Sequence, residues 1–493
     1  MDPIVFLSAS ALAEKIRTQA LTSVQVVKAF INQISAQNER YNAVVLLNAE
    51  AALRRAAEAD AAIAKGESWG PLHGVPITVK DTLSVAGLRT TAGHVPLADY
   101  VPEKDATVIA LLRDAGAIIL AKTNAPTLAM DMQTDNPLFG KTNNPWDVAK
   151  TPGGSSGGCA TALATGMTPL SVGSDLAGSI RIPSSYVGVY GFKPTFGVTS
   201  MRGHVPPQPT EINGIRNLAV TGPLARSIED LELAIKIMAQ PHASDYSPRP
   251  LRNAPPAGAL TSVRALRVAY ATTLGGVAVD AEIAAAIERF AQRLRDAGAI
   301  VQKAEPLAMD YDNAWETWGA LVGMQGGYEH SNLARSFSKF FVSGRTKGIP
   351  MQRRILDPIS VPKYMEALEA QSRQIDAIES FLTSFDVWIV PTSATVAFNH
   401  HRPTTQYGTF NVYDEPLVIG GAKVPYYVAT QSYTTLFNLT ENPVVAMPID
   451  QTQAGLPIGV QVVGARYDDL RLLKRAKLLD QFGLHRPFPL EQR

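Results

Sequence analysis

The stretch TPGGSSGGCA, residues 151–160, places two adjacent serines, Ser155 and Ser156, between two pairs of glycines. Its Gly-Ser composition is typical of a flexible linker, but it is short and lies among densely patterned segments. Two of its glycines also have the spacing of a phosphate-binding loop, although the lysine which that loop requires is absent. A linker and a phosphate site are therefore both disfavoured.

The same stretch matches the G-x-S-x-G motif of a nucleophile elbow, with either Ser155 or Ser156 at its centre. An elbow requires an apolar strand directly before it, whereas residues 142–152 are polar and contain two prolines. This context argues against an elbow, and the eight histidines of the chain leave a histidine partner open.

A third serine, Ser179, follows the segment DLAG at residues 175–178. Small residues allow backbone N–H groups to approach a bound oxygen atom closely. Several such groups around one point form an oxyanion hole, which stabilises the charge that develops on a carbonyl oxygen. This segment therefore combines a hydroxyl group with candidate oxyanion donors.

A serine nucleophile needs a base, and the segment GVPITVKDT at residues 74–82 offers Lys80 at the end of a short apolar run. The run is typical of a buried strand, in which Ile77 and Val79 share one face. Burial lowers the pKa of a lysine because it disfavours the ammonium form. Lys80 is therefore a candidate for a neutral amine that accepts a proton.

The bulk composition excludes several classes of function. The chain has 493 residues, 46% of them hydrophobic and 18% charged, with a formal net charge of +1. This balance gives no reason to expect a nucleic acid or an anionic membrane surface as partner. No apolar run reaches the ~18 residues of a membrane-spanning helix. A single cysteine, Cys159, fits a reducing compartment, so we expect a cytoplasmic protein.

Helical and strand patterns alternate along the chain. Residues 21–38 have helical spacing of apolar residues, and Thr22 with Gln25 forms a capping-box pattern. Short apolar runs of strand type follow, with the helical segment 105–116 between two of them. This alternation predicts an α/β fold in which helices cover a mostly buried sheet. The Pro-rich segment 238–262 is the best candidate for an internal boundary.

Several motifs together resemble those of the amidase signature family: GVPITVKD, NPLFGKTNNPWD, TPGGSSGG, GSDLAGSIRIPSS and GFKPTFG. The resemblance covers residues 5–483 and implies a large mixed sheet with helices on both faces. It also implies one amidase domain over residues 1–493. Within it we expect N-terminal helices at 1–65, a signature core at about 70–235, a C-terminal part at about 263–493 that completes the sheet, and a helical region at about 306–385 that shapes the substrate site.

The resemblance implies roles for individual residues. Lys80 matches the general base, Ser155 the bridging serine that follows a cis peptide bond in relatives, and Ser179 the nucleophile that becomes acylated. The oxyanion donors implied are the backbone N–H groups of Leu176, Ala177, Gly178 and Ser179. The positions that match supporting residues of the loop are Ser156, Ser174, Asp175 and Arg181.

The loop departs from the family pattern, because many relatives have glycine where this chain has Ala177 and usually Thr or Ile where it has Leu176. An alanine would be strained at position 177 if the loop required a positive φ there.

Substrate contacts are implied for Ala129, Met130 and Asp131, and Asp131 would anchor a polar or cationic group. The family mechanism requires neither a cofactor nor a metal, and we interpret His400 and His401 as part of a polar loop.

The implied function is hydrolysis of a small-molecule amide, extending to esters or carbamates, through an acyl-enzyme. An alternative is the glutamine-hydrolysing subunit of a tRNA-dependent amidotransferase, which works with partner proteins. A second alternative is a non-catalytic binding protein with the amidase fold, which the retention of Lys80, Ser155 and Ser179 argues against. The sequence leaves the substrate open, and a homodimer remains one option for the assembly.

Overall fold

A large mixed β-sheet runs through the centre of the computed structural model, which describes residues 2–205, 217–243, 245, 248–252, 262–264, 266–346, 348–407, 410–483 and 488. The strands in chain order are β1 (Val44–Leu47), β2 (Pro76–Lys80), β3 (Ile118–Thr123), β4 (Leu170–Asp175), β5 (Tyr190–Lys193), β6 (Val220–Ala225), β7 (Arg267–Tyr270), β8 (Ile300–Lys303), β9 (Val387–Pro391), β10 (Thr405–Tyr407), β11 (Phe410–Val412), β12 (Leu417–Ile419), β13 (Ala422–Val424), β14 (Val444–Gln451) and β15 (Pro457–Val463).

Eleven strands of the described residues form the central sheet, in the order β1-β3-β2-β4-β6-β5-β14-β15-β9-β7-β8. The pairs β2–β3, β2–β4, β7–β8 and β7–β9 are parallel, and the other neighbours are antiparallel. The two halves of the chain meet where β5 pairs with β14, with Lys193 opposite Val444. The single-domain organisation stays a prediction, which this shared sheet supports.

The helices are α1 (Ala9–Arg17), α2 (Ser23–Tyr41), α3 (Ala49–Ala64), α4 (Thr107–Asp114), α5 (Gly157–Ala164), α6 (Arg181–Val187), α7 (Ile228–Met238), α8 (Ala281–Asp296), α9 (Tyr311–Gly326), α10 (Asn332–Thr346), α11 (Pro350–Arg353), α12 (Val361–Leu382), α13 (Tyr426–Leu439) and α14 (Asp469–Asp480). None of the helices in the described ranges combines the length and the apolar composition that a membrane crossing requires.

The inner strands of the central sheet are buried on both faces, whereas the edge strand β8 is largely exposed. Strand β9 shows this directly, because Val387 and Ile389 belong to one hydrophobic core whereas Trp388 and Val390 belong to another. Helices α7, α8 and α14 contribute to the first core, and helices α9, α12 and α13 contribute to the second. A strand covered on both faces has no polar side to present, which explains why the strand segments are continuous apolar runs.

The local patterns of the sequence are confirmed where the structure describes them. Thr22 caps α2, and Gln25 completes the capping box by accepting from the Thr22 N–H. The predicted strand around Lys80 is β2, and the region 306–385 is largely helical through α9 to α12. Within the proposed boundary at 238–262, residues 244, 246, 247 and 253–261 lie outside the described residues.

The capping box of α2 generates a stability prediction. Thr22→Ala removes the side-chain oxygen that accepts from the Gln25 N–H, so the free energy of unfolding should fall by about 1 kcal/mol. Thr22→Ser keeps that oxygen and serves as the control. The measurement is the shift of the urea unfolding midpoint, and an equal shift for both variants would contradict the role of the cap.

Candidate active site

Lys80 is the last residue of β2, and its side chain is completely buried. Its Nζ donates to Ser155 Oγ at 2.6 Å and to Ser174 Oγ at 3.1 Å. Burial lowers the pKa of Lys80 to about 8, although the negative charge of Asp175 and the thiol of Cys159 oppose that shift. A substantial fraction of this amine is therefore neutral near physiological pH.

The glycine-serine stretch brings Ser155 to this amine through an unusual backbone. The Gly154–Ser155 peptide bond is cis. A Cβ atom on Gly154 would lie 2.7 Å from the carbonyl oxygen of Asp131, so no larger residue fits there. Ser156 precedes α5, and its N–H donates to the carbonyl oxygen of Ser179 at 3.1 Å. The stretch is therefore a packed part of the site and not a linker.

The loop that carries Ser179 is organised by one carboxylate. Asp175 ends β4, and its oxygens accept from the N–H groups of Gly178 at 2.9 Å and Ile180 at 3.0 Å. They also accept from Arg181, from Nε at 3.0 Å and from an Nη atom at 2.7 Å. Burial alone would raise the pKa of Asp175, but the Arg181 guanidinium and these hydrogen bonds hold it below its usual range.

Arg181 connects the loop to the C-terminal half of the chain. Besides Asp175, the guanidinium donates to Gln461 Oε1 in β15 at 2.6 Å and to Asn438 Oδ1 in α13 at 2.6 Å. It also donates to the carbonyl oxygen of Thr434 at 2.9 Å. The buried charge is therefore fully hydrogen-bonded, as a buried ion pair must be to be tolerated.

The departure at Ala177 creates no backbone strain. Gly178, not Ala177, adopts the positive φ, at 108°. A Cβ atom on Gly178 would lie 2.4 Å from Thr434 Oγ1, so this position is restricted to glycine by space as well as by conformation. The alanine has an ordinary backbone, and its carbonyl oxygen accepts from the Thr434 hydroxyl at 2.6 Å.

The backbone N–H groups of the loop are not equivalent. The Gly178 N–H is committed to the Asp175 carboxylate, which differs from the expectation that it faces an oxyanion. Within the described part of the chain, the N–H groups of Leu176, Ala177 and Ser179 make no hydrogen bond. These three are the donors that a bound oxygen can use.

A cavity of about 130 Å³ opens onto this loop, and Ser155, Ser174 and Ser179 all line it. No hydrogen bond joins the Ser155 and Ser179 hydroxyls among the described residues, although both groups face the same space. Most other lining side chains are apolar, including Leu128, Ala129, Met130, Met132, Met201 and Val322.

The helical region between residues 306 and 385 supplies one wall of the cavity. Trp318 of α9 lines it, and the indole Nε1–H donates to the carbonyl oxygen of Leu176 at 3.1 Å. Gln352 of α11 and Ile355 also contribute to this wall. The same side chain, Trp318, therefore bounds the cavity and holds the start of the Ser179 loop.

Asp131 does not line the cavity, in contrast to the prediction that it anchors a polar or cationic substrate group. Its carboxylate is buried and accepts from Asn411 at 2.6 Å, from the Tyr426 hydroxyl at 2.8 Å and from the Tyr413 hydroxyl. Burial raises its pKa, and these hydrogen bonds oppose that shift. The carboxylate is saturated by the protein, so it holds a loop in place.

His204 was not singled out by the sequence, yet it lines the cavity. Its Nε2 lies 2.8 Å from Ser174 Oγ, the same atom that accepts from Lys80. No motif marks this histidine, because it lies on a loop 30 residues after Ser174. The proline-rich stretch VPPQP that follows it, residues 205–209, is the nearest sequence cue.

Cys159 and the adjacent histidines His400 and His401 are not among the residues that line the cavity. Cys159 is buried in α5 beside the Thr123 hydroxyl, and burial raises the pKa of its thiol. His401 stacks on Tyr426, and burial lowers the pKa of His400 to about 4. Among the described residues, His, Cys, Asp and Glu side chains nowhere form a group of three suited to a metal ion.

Comparisons with known proteins agree on one family. The family model described as Amidase matches residues 25–473. The acylamidase of Rhodococcus erythropolis is 33% identical over 475 residues, which cover 96% of this chain and 94% of that protein. The glutamyl-tRNA(Gln) amidotransferase of Carboxydothermus hydrogenoformans has a subunit that is 30% identical, with 97% of each chain covered. A solved fatty acid amide hydrolase superposes with a TM-score of 0.80 at 25% identity, covering 98% of this chain and 86% of that one.

The match spans nearly the whole chain, in agreement with the resemblance of the motifs and with the mixed sheet. The chain therefore belongs to the amidase signature family of amide-hydrolysing enzymes.

Proposed function

We propose that this enzyme hydrolyses amides of apolar carboxylic acids through an acyl-enzyme, with Lys80, Ser155 and Ser179 as its catalytic residues. The observation that carries the proposal is the buried Lys80 amine, 2.6 Å from Ser155 Oγ, beside a cavity that Ser179 also lines. A neutral amine next to a hydroxyl relay is the arrangement that a Ser-Lys hydrolase requires.

In the acylation step, Lys80 Nζ takes the Ser155 hydroxyl proton while Ser155 takes the proton of Ser179. Ser179 Oγ then forms a bond to the carbonyl carbon, and the carbonyl π electrons move to the oxygen. The N–H groups of Leu176, Ala177 and Ser179 stabilise the resulting oxyanion. The Ser155 and Ser179 hydroxyls meet when substrate binds, since catalytic hydrogen bonds often tighten only in the substrate complex.

The tetrahedral intermediate collapses by breaking the carbon–nitrogen bond. The proton held by Lys80 returns through Ser155 to the leaving nitrogen, so the amine or ammonia departs uncharged. Water then repeats the sequence: it attacks the acyl carbon while Ser155 and Lys80 take its proton, and Ser179 leaves with a proton. The carboxylic acid is released, and the three side chains are back in their starting states.

The composition of the cavity supports an apolar acyl group as substrate. Met130, Met132, Trp318 and Val322 surround the space next to Ser179. Burial of a methylene group contributes about 0.8 kcal/mol, so several such groups select an alkyl or aryl chain over a polar one. The volume of about 130 Å³ suits a short alkyl chain or a single ring.

Glutamine fits this cavity poorly, which argues against the amidotransferase alternative. Its α-ammonium and α-carboxylate groups would each need a partner of opposite charge. Among the described residues, the acidic and basic side chains that line the cavity are Asp175, which Arg181 already pairs, and His204. We also propose a cytoplasmic location, because a single cysteine fits a reducing compartment, and a small-molecule amide as the substrate, with a homodimer as one option for the assembly.

The nucleophile assignment predicts that Ser179→Ala abolishes hydrolysis of an apolar anilide, because no oxygen remains to form the acyl-enzyme. Ser432→Ala changes another buried serine, outside the cavity, and should retain activity. Mass spectrometry after fluorophosphonate treatment should locate the label on Ser179 in the wild type. Normal turnover by Ser179→Ala, or a label on a different serine, would refute the assignment.

The base assignment predicts a pH profile. The neutral form of Lys80 is the active one, so kcat/KM should rise as pH increases through about 8 and level off above it. Lys80→Met should lower kcat by about 10²–10⁴-fold, the usual contribution of general acid–base catalysis. The surface variant Lys65→Met is the control and should keep the wild-type profile. A maximum on the acid side would identify another base.

The apolar cavity predicts a change of specificity in Trp318→Ala. Removing the indole lengthens the cavity, so the ratio of kcat/KM for decanoyl over butyryl anilide should rise about 10-fold. Trp318→Ala also removes the hydrogen bond to the Leu176 carbonyl oxygen. Any loss of activity from that affects both substrates equally and therefore cancels in the ratio. Trp146→Phe, which lies outside the cavity, is the control. Wild-type hydrolysis of glutamine in preference to every apolar anilide would contradict the proposed substrate class.

A further inference from the structure

One polar group at the site has no role in the mechanism above. The imidazole of His204 is largely buried, lines the cavity, and has its Nε2 2.8 Å from Ser174 Oγ. Ser174 Oγ is in turn 3.1 Å from Lys80 Nζ. The imidazole is therefore connected to the catalytic amine through a single hydroxyl group.

The chemistry of the base determines the direction of these hydrogen bonds. In the structure Lys80 Nζ donates to Ser155 Oγ. To take a proton from Ser155, the neutral amine must reverse this hydrogen bond and direct its lone pair at Ser155 Oγ. Its N–H bonds then point elsewhere, and Ser174 Oγ accepts one of them. The Ser174 hydroxyl keeps its own proton, which it donates to the nearest acceptor, His204 Nε2.

The backbone holds His204 in this place. His204 forms an isolated antiparallel β-bridge with Leu83, which is three residues after Lys80 in the chain. The next residue, Val205, donates its N–H to the Thr82 carbonyl oxygen at 2.7 Å. Gly203 before it has φ of 83° and no room for a Cβ atom against Ala106. The imidazole is therefore anchored to the segment that directly follows the catalytic lysine.

We propose that His204 is a positioning residue that acts through Ser174 to orient the Lys80 amine toward Ser155. The hydrogen bond from Lys80 to Ser174, continued by the one from Ser174 to His204, restricts rotation of the amine. It also accepts part of the positive charge when the amine takes its proton, because hydrogen bonds in series polarise one another. Both effects act on the chemical step. This inference rests on the proposed function, since it assigns Lys80 the role of base.

The test compares kcat and KM for an apolar anilide among variants of His204. His204→Phe keeps the size of the ring and removes the acceptor, so kcat should fall about 10-fold, the effect of one hydrogen bond. The value of KM should stay within about twofold. His204→Gln places a carbonyl oxygen near the Nε2 position and should recover most of kcat. His94→Phe, outside the cavity, is the control for loss of an imidazole.

A double-mutant cycle then tests the connection through Ser174. Ser174→Ala should lower kcat about as much as His204→Phe, and the double variant should be no slower than either single one. Losses that multiply would show that the two residues act independently and would overturn the proposal. A rise in KM at unchanged kcat would assign His204 to substrate binding and would overturn it as well.

The two proposals fail in different ways. Fluorophosphonate labelling of Ser179 in the wild-type enzyme tests the proposed function and does not depend on His204. If the wild type is labelled there and His204→Phe retains wild-type kcat, the further inference alone is wrong. If Ser179 is not labelled, the proposed function is wrong. Melting temperatures within a few degrees of the wild type should accompany the kinetic values, and His204→Leu, which also lacks an acceptor, replaces His204→Phe as the test if the latter does not fold.

Discussion

The ion pair between Asp175 and Arg181 is the interaction on which the site depends. Both side chains are completely inaccessible to solvent, so neither charge can be left without its partner. Breaking such a pair by removing one member typically costs about 3–5 kcal/mol. The carboxylate shapes the loop before Ser179, and the guanidinium binds α13 and β15. A single electrostatic contact thereby joins the loop that carries Ser179 to the C-terminal half of the sheet.

Burial of lysine is the second constraint, and it occurs three times among the described residues. Lys80, Lys122 and Lys193 are all completely buried, and burial lowers the pKa of each one. Lys122 is close to the carboxylate of Asp81, at 3.6 Å, and donates to backbone and threonine oxygens. Lys80 instead contacts two serine hydroxyls beside a cavity. Its neighbours, rather than its burial, distinguish it as the base in our proposal.

The site draws on segments from the whole chain. Strand β2 supplies the Lys80 amine, the glycine-serine stretch supplies the Ser155 hydroxyl, and the loop after β4 supplies Ser179. Trp318 from α9 bounds the cavity and donates a hydrogen bond to Leu176 in the loop that carries Ser179. His204 lines the same cavity from the connection between β5 and β6. Because each wall belongs to a different element, the size of the cavity can change through α9 and α11 without any change to the Lys80–Ser155 contact.

The sequence by itself determined the local features: the capped helix at Thr22, the buried strand that ends in Lys80, and the family to which the glycine-serine motifs belong. These depend on backbone preferences and on residues close together in the chain. Only the tertiary structure decided that Asp131 is saturated by side chains 280 to 295 residues away, and that His204 approaches Ser174. The physical reason is that such contacts arise when the sheet packs distant segments together, and no short-range pattern records them.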